Sequence, residues 1–336
     1  MMKRFLETLY TKVYINIVVE SSQTIVYTEV CSKDEVIQAM HKTFETTTVN
    51  SKMYDYIKAY MKESPYYYIS ILDKSPLQGA MPTCTYSQMS QYCDIASSEY
   101  KCYNDSWSFY TSEYDLEALK HEYRTIGVDF IFSPFVVMAD FFKDKINSAL
   151  AVFVLVEENY ISFSIFNNSK LLYAEYLNMQ HNSDDEDILI DSSIDEDEEE
   201  DMDSINLEDI TMDDDDSIIF DDFTNIEDLD DSDTIDEFSE TQEIEESLEK
   251  DVDISTDRFN EDYHRFSLIQ SSLNNFYKDE KYQSEFVEAI YIADGVGVSS
   301  DLKNYLEEEL FLNVYTRKID LAIAICDMAK VELNEV

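Results

Sequence analysis

Apolar and polar positions near the start of the chain alternate in a way that predicts a β-hairpin. Residues 13–19 and 24–30 are two short β-like runs, and the polar segment 20–23 separates them. Helical periodicity follows over residues 33–41 and 51–62. The pattern therefore predicts a hairpin and then two helices.

Further along the chain, three consecutive apolar runs predict a β-meander. These runs cover residues 149–156, 160–166 and 170–177, and short polar turns separate them. Before the meander, residues 66–72 have the β-branched and aromatic content of a buried strand. Residues 76–112 are rich in Ser, Tyr and Cys, and we interpret them as an irregular excursion on the surface.

Helices and short strands alternate in the rest of the pattern. Residues 116–124 are periodic, residues 125–132 predict a strand, and Ser133-Pro134 is a helix start signal because Ser is a good N-cap and Pro suits the first turn. Amphipathic helices are predicted over residues 257–277 and 320–333.

Between those last two helices lies a buried strand, a glycine turn, an N-capped helix and a second strand. The turn is Asp294-Gly295-Val296-Gly297, and it holds two of the four glycines in the chain. Because the chain uses glycine so sparingly, two glycines in one turn indicate that the backbone there needs positive φ or lies very close to another group. A glycine turn before a helix N-terminus is also a common phosphate site. Two hypotheses stay open for this turn: a tight strand-to-helix connection, or contact with a nucleotide.

The net charge of −49 is concentrated in one segment. About half of residues 184–253 are Asp or Glu, and no Lys or Arg occurs between Lys170 and Lys250. We therefore predict an acidic disordered insert over residues 182–253. Short apolar clusters inside it, such as residues 188–190 and 218–220, also suit docking onto a basic protein surface. The insert has no glycine for an EF-hand loop, so we expect no specific calcium site.

Composition argues against several other functions. The chain has no cluster of Lys and Arg that would bind nucleic acid, and no apolar run of the ~20 residues that a membrane-spanning helix needs. The five cysteines lack a zinc spacing, so we expect reduced thiols and no metal site. Cys84 has no histidine placed by a motif to serve as its base, so no catalytic residue is predicted. The tyrosines between 86 and 114, with Trp107, suit either an exposed partner patch or a local core.

Taken in order, these elements resemble the actin-like ATPase superfamily, a two-lobed α/β fold of the ribonuclease H-like type. The resemblance is greatest to the PilM and GspL branch, the cytoplasmic components of type IV pilus, competence and type II secretion machinery. Residues 125–142 resemble the strand and helix before the second half, and residues 289–306 resemble the strand, glycine turn and helix that close over adenosine. The resemblance implies a first lobe over residues 1–124, with the 76–112 excursion, and a second lobe over residues 125–181 and 254–336.

Departures from the family pattern decide the function that we expect. The first hairpin turn, Glu20-Ser21-Ser22-Gln23, lacks the glycine of the family's Asp-x-Gly-Thr, and the second turn places Glu157 and Glu158 where phosphate would approach. Only Asp294, Gly295 and Gly297 keep the pattern, and they are the residues that ATP would contact if any nucleotide binds.

The resemblance therefore implies a non-catalytic cytoplasmic scaffold with no required cofactor. Its expected partners are an inner-membrane assembly protein, which would hold the chain at the membrane without a span of its own, and a secretion or pilus ATPase. The alternatives are an actin-like ATPase, sugar-kinase relative or nucleotide switch, or an unrelated acidic interaction protein.

Overall fold

The computed structural model of the protein describes residues 10–33, 35–147, 150–179, 241–279, 282 and 286–335, with the backbone alone for 241–259 and 335. The chain divides into two compact units, residues 1–180 with 253–336, and residues 181–252. Within the second unit the described residues are 241–252, which are helical. The rest of the predicted acidic insert lies outside the described residues.

The described elements are mostly short strands, with seven α-helices among them. The strands are β1 (Lys12–Val19), β2 (Thr24–Ser32), β3 (Glu35–Phe44), β4 (Tyr66–Leu72), β5 (Gln78–Met81), β6 (Ser98–Tyr103), β7 (Trp107–Ser112), β8 (Phe130–Phe132), β9 (Ala151–Val156), β10 (Tyr160–Asn167), β11 (Lys170–Asn178), β12 (Ala289–Asp294) and β13 (Asn313–Lys318). The helices are α1 (Ser51–Met61), α2 (Tyr86–Met89), α3 (Glu113–Glu122), α4 (Pro134–Phe141), α5 (Thr241–Lys278), α6 (Ser300–Leu310) and α7 (Leu321–Glu335).

Two five-stranded sheets share one topology. The first has the order β3-β2-β1-β4-β8 and the second the order β11-β10-β9-β12-β13. In each sheet the first three strands are antiparallel neighbours, and the last two run parallel to the central strand. We call the first sheet with α1 lobe I, and the second sheet with α5 and α6 lobe II. The predicted hairpin, the 66–72 strand and the meander are confirmed.

The central strands are buried on both faces, which explains their continuous apolar sequences. On one face of β1, Val13, Ile15 and Ile17 pack into a core with Met53 and Ile57 of α1. The corresponding outer core of lobe II lies under α5 and α6. Each sheet therefore has its own outer layer of helix.

Helices α4 and α7 lie in a shared core between the two sheets. This core includes Tyr14 and Val18 of β1, Phe153 of β9, Phe135 of α4 and Ile325 of α7. Helix α4 starts as predicted, with Ser133 as the N-cap and Pro134 in the first turn. Because both lobes contribute to this core, their relative placement depends on apolar packing as well as on polar contacts.

The segment predicted to be irregular instead forms a third sheet, with the order β5-β7-β6. Trp107 is buried there against Tyr103, Phe109 and Phe166, so it belongs to a local core. The expectation of reduced thiols is wrong for one pair, because Cys84 and Cys102 form a disulfide in this sheet. Polar, aromatic-rich strands of four to six residues carry too little periodicity to be recognised from the sequence.

The helix predicted over residues 33–41 is also wrong. Glu35–Phe44 is strand β3, which pairs antiparallel with β2 at the edge of the first sheet. Every residue from Glu35 to Thr43 is exposed, so burial imposes no two-residue alternation on this strand. The spacing of Val36, Ile37 and Met40, which indicated a helix, therefore does not mark a buried face.

Two other elements differ from the predictions in extent. Helix α5 begins at Thr241, well before the predicted residue 257, in a stretch rich in strong helix formers and free of Gly and Pro. Strand β8, which we assigned to the second lobe, pairs with β4 in the first sheet. In the described part of the chain, no helix is both long enough and apolar enough to cross a membrane.

Candidate functional site

Three turns meet at the carboxyl end of the central strands, where the two lobes face each other. They are the β1–β2 turn, the β9–β10 turn and the glycine turn after β12. Between them lies a cavity of about 360 Å³. It is lined by Glu20, Glu158, Glu261, Asp262, Arg265, Gly295, Val296, Gly297 and Ser299. The structure thus brings the predicted residues Gly295 and Gly297 to the interlobe cleft.

The β1–β2 and β9–β10 turns touch each other across this cleft. The carboxylate of Glu158 accepts a hydrogen bond from the backbone N–H of Ser21 at 2.9 Å and another from the Ser21 hydroxyl. The first turn is closed by the Glu20 N–H, which donates to the Gln23 carbonyl at 2.8 Å. A carboxylate of the protein therefore takes the backbone amide that the family pattern would offer to phosphate.

The glycine turn is organised by the carboxylate of Asp294, the last residue of β12. Its Oδ1 accepts hydrogen bonds from the N–H groups of Val296, Gly297 and Val298 at 3.1, 2.7 and 3.0 Å. Asp294 is only 4% exposed, so these donors compensate the desolvation of its charge. The three amides point to an internal acceptor and leave no free donor in this turn for a second anion.

Both reasons for glycine are present in this turn. A Cβ on Gly295 would lie 2.9 Å from the carbonyl oxygen of Val156, which accepts the Gly295 N–H at 3.0 Å. Gly297 has φ +82°, and a Cβ there would meet nothing within 4 Å. Gly295 therefore permits close packing against β9, while Gly297 supplies the left-handed conformation.

A buried ion pair in helix α5 accepts the hydrogen bond of the next backbone amide, that of Ser299. Asp262 accepts from Arg265 Nη1 at 2.6 Å and from the Ser299 N–H at 2.9 Å, while Arg265 Nη2 also donates to Glu261 at 3.0 Å. Ser299 is in turn the N-cap of α6, through its hydroxyl and the Asp301 N–H. The arginine that lines the cleft is thus already paired with two carboxylates.

Glu157, the neighbour of Glu158, reaches lobe I at a second point. Its carboxylate is 1% exposed and lies 2.9 Å from Nζ of Lys74, which follows β4. Burial raises the pKa of the nearby Tyr176 phenol, and the carboxylates of Glu157 and Asp73 raise that pKa further. The Glu157 carboxylate therefore gives the turn beside Tyr176 a negative local charge.

Taken together, these contacts give a cleft lined mainly by negative charge. Four carboxylates line the cavity, and the single arginine there is paired. Within the described residues, no group of three or more His, Cys, Asp or Glu is arranged to hold a metal ion that would bridge phosphate to these carboxylates. The sequence indicated the negative turn at Glu157 and Glu158, but it did not indicate the contacts of this turn with Ser21 and Lys74. For Asp262 and Arg265 its only signal was an acid and a base three residues apart on a helix.

Two family models account for most of this architecture. One, for a domain of unknown function named DUF8341, matches residues 152–334, more than half of the chain. The chain belongs to the DUF8341 family. A second model, for a domain of unknown function named DUF8569, matches residues 10–139. The DUF8341 match spans the second sheet, the glycine turn and α7, and the DUF8569 match spans lobe I and the third sheet.

Solved structures show the fold of this DUF8341 protein. A Bacteroides thetaiotaomicron protein, described as having an actin-like ATPase fold and unknown function, is 9% identical with a TM-score of 0.50, covering 94% of this chain and 96% of that one. The PilM–PilN type IV pilus biogenesis complex is 10% identical with a TM-score of 0.50, covering 90% of this chain and 88% of that one. No curated protein matches the sequence. The chain has the actin-like ATPase fold, as its duplicated sheet order also shows.

Proposed function

We propose that the protein is a non-catalytic scaffold built on the actin-like fold. One observation carries the proposal: the amides of the glycine turn donate to the protein's own Asp294, so the turn that would contact a nucleotide is internally satisfied. The Glu158 contact with Ser21 supports it, because the first turn is occupied in the same way. Both contacts would have to break before these amides could donate to a ligand.

The assembly that we propose is a type IV pilus, DNA-uptake or type II secretion machine. The likeness to the PilM–PilN complex supports this choice. In that arrangement the chain would lie on the cytoplasmic face of the inner membrane, held there by an inner-membrane assembly protein, with a secretion or pilus ATPase as a further partner. The acidic insert would steer the chain toward a basic protein surface.

The second candidate is a nucleotide switch, and the cleft cavity favours it. A cavity of about 360 Å³ bounded by Gly295 and Gly297 is within the size range of small-molecule sites. For ATP to bind there, its phosphates would have to displace Glu158 or Asp294 from the turn amides, or be screened from them by Mg²⁺.

Calorimetry separates these two candidates. ATP and ADP are titrated with and without Mg²⁺ into the full chain and into a chain lacking residues 184–253. The scaffold proposal predicts no binding in any titration. Micromolar binding that survives the deletion and is lost in Gly297→Val would establish the switch instead.

The scaffold has a positive test in the cells that make the protein. Separation of membranes from cytosol is expected to place the full chain with the membranes, and treatment of intact cells with a crosslinker is expected to join it to a membrane-spanning protein. A chain found only in the cytosol, with no such adduct, would contradict the proposal.

A further inference from the structure

Two almost fully exposed phenylalanines lie at the end of lobe II opposite the cleft. Phe311 is 89% exposed and Phe286 is 87% exposed. Phe286 precedes β12 and Phe311 precedes β13, and these strands are parallel, with Ala289 opposite Asn313. Both rings therefore lie at the amino-terminal edge of the second sheet, and the Phe286 ring also contacts Tyr277, with ring centres 5.9 Å apart.

Phe311 has a backbone conformation that a bulky residue seldom adopts. It ends α6 with φ 55° and ψ 35°, the left-handed position that glycine usually occupies at a helix C-terminus. In this conformation the ring is not used for packing, since it is almost completely exposed. A costly conformation that holds an apolar ring in solvent is a feature of binding sites rather than of cores.

The surroundings of these rings are negative. Glu288, Glu308 and Glu309 are exposed beside them. Helices α5 and α6 both end at this edge, so their C-terminal carbonyl groups add partial negative charge. Among the described residues flanking these rings in the sequence, the cations are Lys278, at the end of α5, and Lys303, which is already paired with Glu307 at 3.5 Å.

We propose that this aromatic–acidic end, formed by Phe286, Phe311, Glu288, Glu308 and Glu309, is a docking surface for a basic amphipathic segment of a protein partner. The partner's apolar stripe would cover the two rings, and its Lys and Arg side chains would face the glutamates. The negative charge opposes binding to anionic lipid, which leaves a protein segment as the occupant.

The inference rests on the proposed function, and it specifies that the partner's binding segment is basic and amphipathic. Cytoplasmic segments of inner-membrane proteins are enriched in Lys and Arg close to the membrane. A surface of exposed phenylalanine framed by glutamate is complementary to such a segment. It also lies at the opposite end of β12 from Asp294, so a partner bound here would leave the cleft untouched.

The test uses a defined probe and the full chain. The probe is a peptide of about 18 residues made of Leu and Lys, with Leu in a helical stripe and one p-benzoylphenylalanine in that stripe. A shuffled peptide of the same composition, without the stripe, is the control for attraction to the acidic insert. After irradiation, mass spectrometry maps the adducts on the chain.

Adducts are expected on residues 305–315, with the striped peptide only. Phe311→Gly and Phe311→Ala are expected to lower their yield about tenfold. The same two variants separate binding from folding, because Gly fits the left-handed position and Ala does not. Phe311→Gly should raise the Tm by about 2 °C, whereas Phe311→Ala should not. Tyr114→Ala, at another exposed aromatic residue, is the matched control and should change neither quantity.

Several results would overturn the docking surface. Adducts confined to other segments, or an adduct yield unchanged in Phe311→Gly, would show that these rings do not bind the probe. Flotation with phosphatidylglycerol–phosphatidylethanolamine vesicles that is lost in Phe311→Gly would make lipid the occupant. Sedimentation showing a dimer lost in that variant would make it a second copy.

These results are independent of the calorimetry on the cleft. Nucleotide binding together with Phe311-dependent adducts would overturn the scaffold and leave the docking surface standing. A chain that binds no nucleotide and associates with membranes, but gives no adducts at residues 305–315, would overturn the docking surface and leave the scaffold proposal standing.

Discussion

Glu158 in lobe II accepts hydrogen bonds from the backbone N–H and the hydroxyl of Ser21 in lobe I. The adjacent Glu157 pairs with Lys74 at 2.9 Å, so two consecutive glutamates hold one turn against lobe I at two points. In a nucleotide-dependent relative of this fold, a ligand between the turns would be expected to link the lobes. Here side chains of the protein itself make contacts between the lobes, through hydrogen bonds to Ser21 and an ion pair with Lys74.

Loss of the Glu158 carboxylate should free the Ser21 turn without unfolding the protein. This contact is exposed, so Glu158→Ala is expected to lower the free energy of unfolding by no more than about 1 kcal/mol. Hydrogen exchange at the Ser21 amide, followed by mass spectrometry or NMR, should nevertheless become faster. Glu20→Ala, which removes another carboxylate of the cavity, is the control and should leave the exchange of Ser21 slow. If the Ser21 amide exchanges at the same rate in the unchanged chain, Glu158→Ala and Glu20→Ala, the contact is not formed in solution.

The two glycines of the turn should differ in how alanine is tolerated. Gly297→Ala adds only the strain of a left-handed residue, about 1 kcal/mol, because its Cβ meets no atom. Gly295→Ala should cost more, since the Cβ would overlap the Val156 carbonyl in the backbone of β9. Urea unfolding of both variants measures the difference. If neither change lowers the stability, the close approach at Gly295 and the left-handed strain at Gly297 would both be contradicted.

The pair of Glu29 and Lys330 predicts a defined pH dependence. Burial acts to raise the pKa of Glu29, but hydrogen bonds from Lys330, Cys31 and Tyr27 outweigh it and hold that pKa below its ordinary value. A carboxyl with a depressed pKa stabilises the fold at neutral pH and loses that contribution as the pH falls through its folded-state pKa. Stability should therefore decline below about pH 4.5, and Glu29→Gln should flatten the decline.

The same pair should be sensitive to loss of the cation. Lys330→Met leaves the Glu29 charge buried without its ion-pair partner, so we expect a loss of about 3 kcal/mol at pH 7. Chemical denaturation across pH 3–7 measures both effects. Lys303→Met, which removes an exposed lysine, is the control. A stability curve that Glu29→Gln leaves unchanged would show that Glu29 does not titrate in this range.

The disulfide between Cys84 and Cys102 should stabilise the third sheet. It closes a loop with a sequence separation of 18, for which loss of the bond costs about 3 kcal/mol in chain-entropy terms. Thermal unfolding of the oxidised chain and of Cys84→Ser with Cys102→Ser compares the two states. Cys93→Ser should match the oxidised chain, because Cys93 is a free thiol. Alkylation of Cys84 and Cys102 in the native, unreduced protein would contradict the bond.

The duplicated sheets could be predicted because their central strands are buried on both faces. Ala151–Val156 and Lys12–Val19 are almost wholly apolar at the positions that pack, and short polar turns delimit them. Edge strand β3 has no such constraint, since its residues from Glu35 to Thr43 are exposed. Its apolar residues can therefore fall at helical spacing although the segment is a strand.

Only part of the candidate site was accessible from the sequence. The positions of Gly295 and Gly297 followed from their rarity and from the strand before them. The acceptor of their amides did not, because Asp294 makes those bonds only after the turn has formed. The contact between Ser21 and Glu158 joins residues 137 positions apart, and no local pattern encodes such a pairing. The signal for Asp262 and Arg265 was weak, since an acid and a base three residues apart on a helix are usually exposed.

Helix α7 completes the hydrophobic layer beneath lobe I, although it follows lobe II in the sequence. Cys326 of α7 shares the central core with Tyr14 and Cys31, and burial raises the pKa of its thiol to about 12. On the ribosome, the first hundred residues would therefore emerge with one face of their sheet still uncovered. That face would stay uncovered until the acidic insert and lobe II had been translated, so its apolar side chains, such as Tyr14 and Val18, would be open to aggregation for the whole of that interval.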